Sequence, residues 1–273
     1  VTPGIHIFYD THAHLDYDDF TAELPEVIAR ADQAGISRII SIGTDLDSSR
    51  RAMALAEKFP NVYAAVGWHP CNVLEAPDDL RPALREMAEH PKVVALGETG
   101  LDYHRMPGGD ELSGAEQNEA YKQKQARVFA QHLEVAIETG LNCVIHQRDS
   151  LEDTLRQLSC APKPVRSVFH CFAENTATLR RILDLGSIVS FTGILTFKNG
   201  QNIRDTLAAS PMGSFMLETD CPYLAPAPYR GKRCEPAYVK EIAQTAAEVK
   251  KVSLEELSEA TCRAARDFFH KMK

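Results

Sequence analysis

The stretch FYDTHAHLDY, residues 8–17, sets His12 and His14 two positions apart, straight after the apolar run that begins at Ile5 and just before Asp16. In an extended segment residues two apart project to the same face, so the two imidazoles are placed to share one ion. A lone His-x-His is weak support for a metal site. What gives this one weight is that the same change, from apolar run to imidazole and carboxylate, recurs along the chain.

Eight β-rich runs can be read: Ile5 to Asp10, Arg38 to Gly43, Val62 to Gly67, Val93 to Gly97, Asn142 to His146, Ser167 to His170, Ser187 to Phe191 and Ser214 to Glu218. Between them lie segments such as ELPEVIARADQAG (23–35), LDSSRRAMALAEKF (46–59), AEQNEAYKQKQARVFAQHLEVAIETG (115–140) and TATLRRILDLG (176–186). Their apolar residues recur every three or four positions and several finish in Gly, the mark of helices. Strand then helix, repeated, implies parallel pairing, and eight such units closing on themselves make a (β/α)8 TIM barrel. The rival is a doubly wound open sheet. A barrel gathers its chemistry at the C-terminal ends of many strands, and here those ends carry His12 and His14, His69, Glu98, His146 with Arg148, His170, and Glu218 with Asp220. An open sheet would spread them along one edge; a closed ring aims them at one centre. The whole chain, 1–273, is therefore expected to be a single domain, with the Pro/Gly-rich stretch Cys221 to Pro236 as an active-site loop.

Composition narrows the function classes. With 273 residues and 44% apolar content the chain can bury a sizeable core, and disorder is excluded. No apolar run approaches membrane-spanning length and no basic-then-apolar leader is present, so a cytoplasmic location without membrane insertion is expected. Seven cysteines without a CxxC pair argue against a disulfide framework; Cys71, Cys143, Cys171 and Cys221 read as small reduced residues in or beside strands. A net charge of −8 argues against a protein that coats nucleic acid through a broad basic face, but not against a nucleic-acid enzyme, since bound metal ions and a few basic side chains supply positive charge locally. No obligate protein partner is indicated.

Imidazole nitrogen and carboxylate oxygen together form the ligand set of catalytic divalent metals. Four histidines and two carboxylates exceed one tetrahedral site, so a centre of two ions ~3.5–4 Å apart is expected, with Glu98 bridging. One site would use His12, His14, Glu98 and Asp220; the other, Glu98, His146 and His170. Asp220 is the natural group to orient and deprotonate a water. The ion itself, Mg, Mn or Zn, is left open by such a mixed set.

DTHAHLD, GWHP, GETGLDYH, VIHQRDS, HCF and ETDCPYLAP, in this order and across nearly the whole chain, resemble the successive motifs of the TatD-related metal-dependent deoxyribonucleases, within the amidohydrolase-like barrels. The resemblance implies a TIM barrel, a divalent-metal centre and phosphodiester hydrolysis, typically 3′ to 5′ exonuclease action on DNA ends. It assigns metal binding to His12, His14, Glu98, His146, His170 and Asp220, in agreement with the reading above, and places His69 near the substrate phosphate. Two departures stand out: Cys234 in KRCEP, where many relatives carry Asn, and Asn142 where Pro is usual before the fifth strand.

The alternative activity is hydrolysis of an amide or ester, such as an aminoacyl-tRNA bond, because barrels of this superfamily use similar centres on several electrophiles. A modified Lys commonly bridges two-metal amidohydrolases at the end of strand four; Glu98 stands there instead and favours the phosphodiesterase branch. A non-catalytic metal-binding protein is the third reading, disfavoured because a structural site needs no ring of ligands at a barrel mouth. Of the surrounding residues, Arg148 points to a phosphate contact, with a salt bridge to Asp149 as the alternative. Asp102 and His104 read as groups that orient ligands, bind substrate or hold a loop. Glu218 reads as a stabiliser of the strand-eight turn or of a ligand. Tyr103, Tyr223 and Tyr229 could stack on bases or pack the loops. Lys198, Arg230, Lys232 and Arg233 form either a cationic rim or a solvated turn. His6, His90, His132 and His270 are expected on surfaces or at the barrel bottom, without a function.

Overall fold

The computed structural model describes residues 6–109 and 114–272; Ile5, expected to open the first strand, lies outside the described residues. Strands β1 (Phe8–Ala13), β2 (Ile36–Ile42), β3 (Val62–Val66), β4 (Val93–Asp102), β5 (Asn142–Arg148), β6 (Ser167–Phe169), β7 (Ile188–Phe191) and β8 (Phe215–Leu217) pair side by side in sequential order. Every pairing is parallel. Helices cover the outside: α1 (Asp18–Thr21) and α2 (Leu24–Gln33) after β1, then α3 (Leu46–Lys58), α4 (Arg81–Ala88), α5 (Ala115–Thr139), α6 (Leu151–Ser159), α7 (Thr176–Asp184) and α8 (Gln201–Ala209) after successive strands. Two more, α9 (Val239–Lys250) and α10 (Leu254–Phe268), follow β8. This is the (β/α)8 barrel, and the open-sheet rival falls away. Among the described residues no helix is long and apolar enough to cross a membrane.

The eighth strand reaches the first through an Ala13–Cys221 bridge and through side chains. The Asp220 N–H donates to the His12 carbonyl at 2.9 Å and the His14 N–H to the Cys221 carbonyl at 2.9 Å. Below them the Thr11 hydroxyl donates to the Leu217 carbonyl. The carboxylate of Asp10 accepts from the Thr219 N–H at 2.9 Å and its hydroxyl at 2.6 Å. Closure and site assembly are thus one event: the bonds that seal the barrel put His12, His14 and Asp220 side by side.

Two-residue alternation decides which side chains enter the barrel. On β3, Val62, Ala64 and Val66 pack outward under the helices while Tyr63 and Ala65 fill the interior. On β5, Val144 faces in, so the next inward position is His146; on β6, Val168 leads to His170; on β8, Met216 leads to Glu218. The interior is apolar at the bottom, where Phe268, Phe269 and Met272 plug it, and polar at the top.

Three strands run further at their C-terminal ends than the sequence suggests, β5 by two residues to Arg148 and two others at the site itself. β1 continues to Ala13, so His12 lies within it, and β4 continues to Asp102, with Glu98 in its middle. Both have pairing irregularities at these points, between Asp10 and Ala13 and between Leu96 and Thr99. Beside Glu98 the backbones are very close: a Cβ on Gly67 would lie 2.6 Å from the main chain of Gly97. Only glycine fits there, and the tight approach of β3 to β4 keeps His69 within reach of Glu98.

Candidate metal centre

All six expected ligands converge at the top of the barrel, and Glu98 is at their middle. Its Oε2 faces His12 Nε2 at 3.4 Å and His14 Nε2 at 3.8 Å. Its Oε1 faces His170 Nε2 at 2.8 Å, His146 Nδ1 at 2.9 Å and His69 Nε2 at 3.3 Å. Asp220 Oδ1 closes the first group, 3.6 Å from His12 Nε2 and 3.3 Å from His14 Nε2. The His12 and His170 rings stack at 3.9 Å and link the two groups. Three sets of potential ligand atoms, each within 4.8 Å of one another, result: His12, Glu98 and His170; His12, His14 and Asp220; His69, Glu98 and His146.

Whether a cation fits is decided by the orphaned nitrogens. His12 is fully buried, and its Nε2 makes no hydrogen bond although carboxylate oxygens lie 3.4 and 3.6 Å away. A buried polar atom normally finds a partner. One nitrogen and two oxygens that surround a point without bonding one another are arranged as ligands of a positive ion.

Charge distribution agrees with that geometry. Burial alone would raise the Glu98 carboxyl, yet the imidazoles of His170, His69 and His12 around it hold it well below the usual carboxylate range. Asp220 is likewise lowered, the burial cost being overcome by His14, His12 and His170. Burial would lower His170, but Glu98 and Glu218 draw it well above its ordinary value. For His12 the cost of burial wins, assisted by repulsion from His170, and its pKa falls. The ionised carboxylates and the neutral His12 are already in the states that metal binding requires, whereas His170, His14 and His146, drawn up by the same carboxylates, give up protons when an ion binds.

A second ring of groups fixes the ligands. Asp102 Oδ2 lies 2.8 Å from His146 Nε2, on the side of the ring away from Glu98, and its Oδ1 accepts from the His104 N–H at 2.8 Å, so its contacts serve both to orient an expected ligand and to hold the loop. Its backbone N–H donates to the Oε1 of Gln125 on α5, and the Gln125 amide donates back to the Asp102 carbonyl. Glu218 is buried and accepts from the Cys171 N–H and the Ser190 hydroxyl, both at 2.6 Å, with His170 Nδ1 at 3.5 Å. His104 instead pairs outward with Asp149 at 2.8 Å. That takes the partner offered to Arg148, which is exposed and lines the cavity of about 450 Å³ beside His146, His170 and Asp220.

Several expectations need correction. His132 is not a surface residue: it is fully buried on α5, its Nδ1 donates to the Val128 carbonyl, and its Nε2 accepts from the Trp68 N–H at 3.0 Å. It thereby braces the turn that carries His69. Cys71, read as a small residue in or beside a strand, lies in the turn after β3 and is exposed, with its thiol 3.5 Å from Asp102. Tyr103 is engaged by Asp153 and Lys122, and Tyr229 stacks on Tyr238, so of the three tyrosines only Tyr223 stands exposed at the mouth. Two residues outside the expected set join the site: Tyr17, stacked on His14 at 4.7 Å, and Asp10, whose carboxyl burial pushes up to about 8. A signal for Asp10 does exist in the sequence, as an acid that ends the run Ile5 to Asp10 directly before THAH. Gln125 and His132 sit at polar positions of a helix that reads as amphipathic, and nothing local marks them.

The loop after β8 is held without the usual Asn. The Cys234 N–H donates to the Pro222 carbonyl at 2.9 Å while its thiol is buried. Arg233 pairs with Glu23, and the neighbouring Glu235 receives Arg30 at 2.7 Å.

Comparison with known proteins agrees with this architecture. The model of the TatD related DNase family matches residues 9–270. The chain is 35% identical over 264 residues to the uncharacterized metal-dependent hydrolase YabD of Bacillus subtilis, covering 96% of this chain and 99% of that one. It is 34% identical over 270 residues to the uncharacterized metal-dependent hydrolase YcfH of Escherichia coli K12, covering 96% and 95%. The crystal structure of YJJV, a TatD homolog from Escherichia coli K12, superimposes with a TM-score of 0.87 at 27% identity over 98% of this chain and 99% of that one. The protein is therefore a metal-dependent hydrolase of the TatD-related family, carried on a (β/α)8 barrel.

Proposed function

We propose that the protein, acting as one domain, hydrolyses phosphodiester bonds in DNA from the 3′ end of a single strand, through two divalent ions. The observation that carries this reading is Glu98: its two oxygens face two different histidine groups, Oε2 toward His12 and His14 and Oε1 toward His146 and His170. A carboxylate so placed suits a bridge between two ions. His12, His14, Glu98 and Asp220 would hold one, and Glu98, His146 and His170 the other. Bound there, Mg, Mn or Zn supplies Lewis acidity toward a phosphoryl oxygen and toward water.

The chain's own groups do the rest. Asp220 lines the cavity, with Oδ1 turned to the His12 and His14 pair. Its carboxylate orients the attacking water and accepts the proton that water gives up. His69 and Arg148 orient the scissile phosphate. In support, His69 stands beside Glu98 and Arg148 on the cavity wall. The family description, a TatD related DNase, supports DNA as the substrate.

Amide or ester hydrolysis, for instance of an aminoacyl-tRNA, is the competing activity. The deciding experiment strips the protein with EDTA, restores Mg²⁺, Mn²⁺ or Zn²⁺, and follows a 5′-labelled single-stranded oligonucleotide beside aminoacyl and simple ester substrates. A ladder shortening one nucleotide at a time from the 3′ end is expected. Metal-restored turnover of the acyl substrates with none of the oligonucleotide would overturn the proposal.

A further inference from the structure

Resting on the nuclease reading, we propose that Arg230, laid on the ring of Phe197, is a phosphate-binding residue over which the substrate strand enters the cavity. Two loops build this shelf. A 3-10 turn, Gly193–Thr196, follows β7, and the loop after β8 packs against it so tightly that a Cβ on Gly193 would lie 2.1 Å from the Leu224 carbonyl oxygen. The Ala227 N–H donates to the Thr196 hydroxyl at 2.9 Å and ties the loops again. Ile194 and Leu224, one from each loop, line the cavity beside His170 and Asp220. Three residues beyond Ile194, Phe197 receives the Arg230 guanidinium at 3.8 Å from its ring centre.

A guanidinium seated over an aromatic ring is positioned without spending its N–H donors on a carboxylate, and its planar fork matches a phosphate. Arg230 is exposed, and among the described residues no carboxylate pairs with it. Exposed Lys232 lies two residues beyond it, and exposed Lys198 follows Phe197 in the chain. Arg233, three residues on, is instead structural, since its guanidinium is fastened to Glu23 at 2.8 Å and lies over Phe20. The rim thus divides into a free cation that faces solvent and a tethered one that holds the loop. The cavity wall formed after β5 and β6 presents Asp149 and Glu174 with Arg148 as its cation. Incoming phosphates are therefore drawn along the β7–β8 side toward the site, where Arg148 on the opposite wall, beside Glu174 and an Asp149 engaged by His104, is left to hold the scissile one.

The test is the salt dependence of kcat/KM on a single-stranded oligonucleotide with restored metal, between roughly 50 and 200 mM NaCl. Removing one phosphate-binding cation should flatten the logarithmic slope by about 0.7. Arg230→Ala is expected to lower kcat/KM and flatten the slope by about that amount, and Phe197→Leu to do so in part. Arg233→Ala is expected to lower Tm while keeping the wild-type slope. An unchanged slope in Arg230→Ala, with the wild-type enzyme cleaving the oligonucleotide, overturns the role of Arg230 and leaves the nuclease reading standing. A wild-type enzyme that cleaves no oligonucleotide overturns both.

Discussion

His132 offers the sharpest physical test, because its environment fixes a magnitude and a sign. It is fully buried on α5, with Nδ1 bonded to the Val128 carbonyl and Nε2 to the Trp68 N–H. Nε2 must be unprotonated to accept that bond, so the native state holds the neutral ring. Burial pushes its pKa from 6.5 down to about 4. A histidine whose folded pKa is depressed stabilises the native state fully above its unfolded pKa, and the contribution disappears as the pH falls from about 6.5 through about 4. At 1.36 kcal/mol per pH unit the whole difference is about 3 kcal/mol, of which about 2.5 kcal/mol is gone by pH 4.5.

Replacing His132 with Leu removes the titration and leaves the Trp68 N–H buried without its acceptor, at a cost of about 2 kcal/mol. Wild type should therefore be the more stable at pH 7.5 by about that amount, and the gap should close or reverse by pH 4.5. Urea unfolding of EDTA-treated wild type and variant across this range measures it. The titrations of the metal-centre histidines are common to both proteins and cancel in the difference. Parallel stability curves, with a constant gap from pH 7.5 to 4.5, would refute a neutral, buried His132.

Other consequences follow from the same contacts. Glu98→Ala and Asp220→Ala should abolish metal-restored hydrolysis while circular dichroism stays native; full activity in both would remove them from the centre. Asp102→Asn should weaken Mn²⁺ binding by about 10- to 100-fold in calorimetry, since it loosens the ring of His146 without removing a ligand. Gln125→Leu leaves the Asp102 N–H and carbonyl without their side-chain partner and should cost about 2–3 kcal/mol in urea unfolding. Removal of metal by EDTA should lower Tm and its return should restore it in a concentration-dependent way, because an ion that binds only the folded protein stabilises it by mass action.

Much of the fold and the site is legible in the chain because strands and ligands are written in the same two-residue code. The apolar runs mark the eight strands, and the imidazole or acid that ends a run lies on the interior side whenever alternation continues, as from Val144 to His146 and from Val168 to His170. Legibility stops where that code is interrupted or where the partner is main chain. Glu98 reads as a bridge at a strand end, yet it lies mid-strand, because the irregular pairing from Leu96 to Thr99 lets β4 run on to Asp102 and has no marker in composition. His132 and Gln125 are illegible for a deeper reason. A helix facing a barrel is read by its apolar stripe, and a polar residue on it is assigned to solvent; here the stripe includes two polar groups that pair with backbone exposed at the ends of β3 and β4. β3 pairs with β4 only as far as Val66 and Leu96, so beyond that point the main chain of Trp68 and Asp102 has no partner across this seam, and helix α5 supplies one to each.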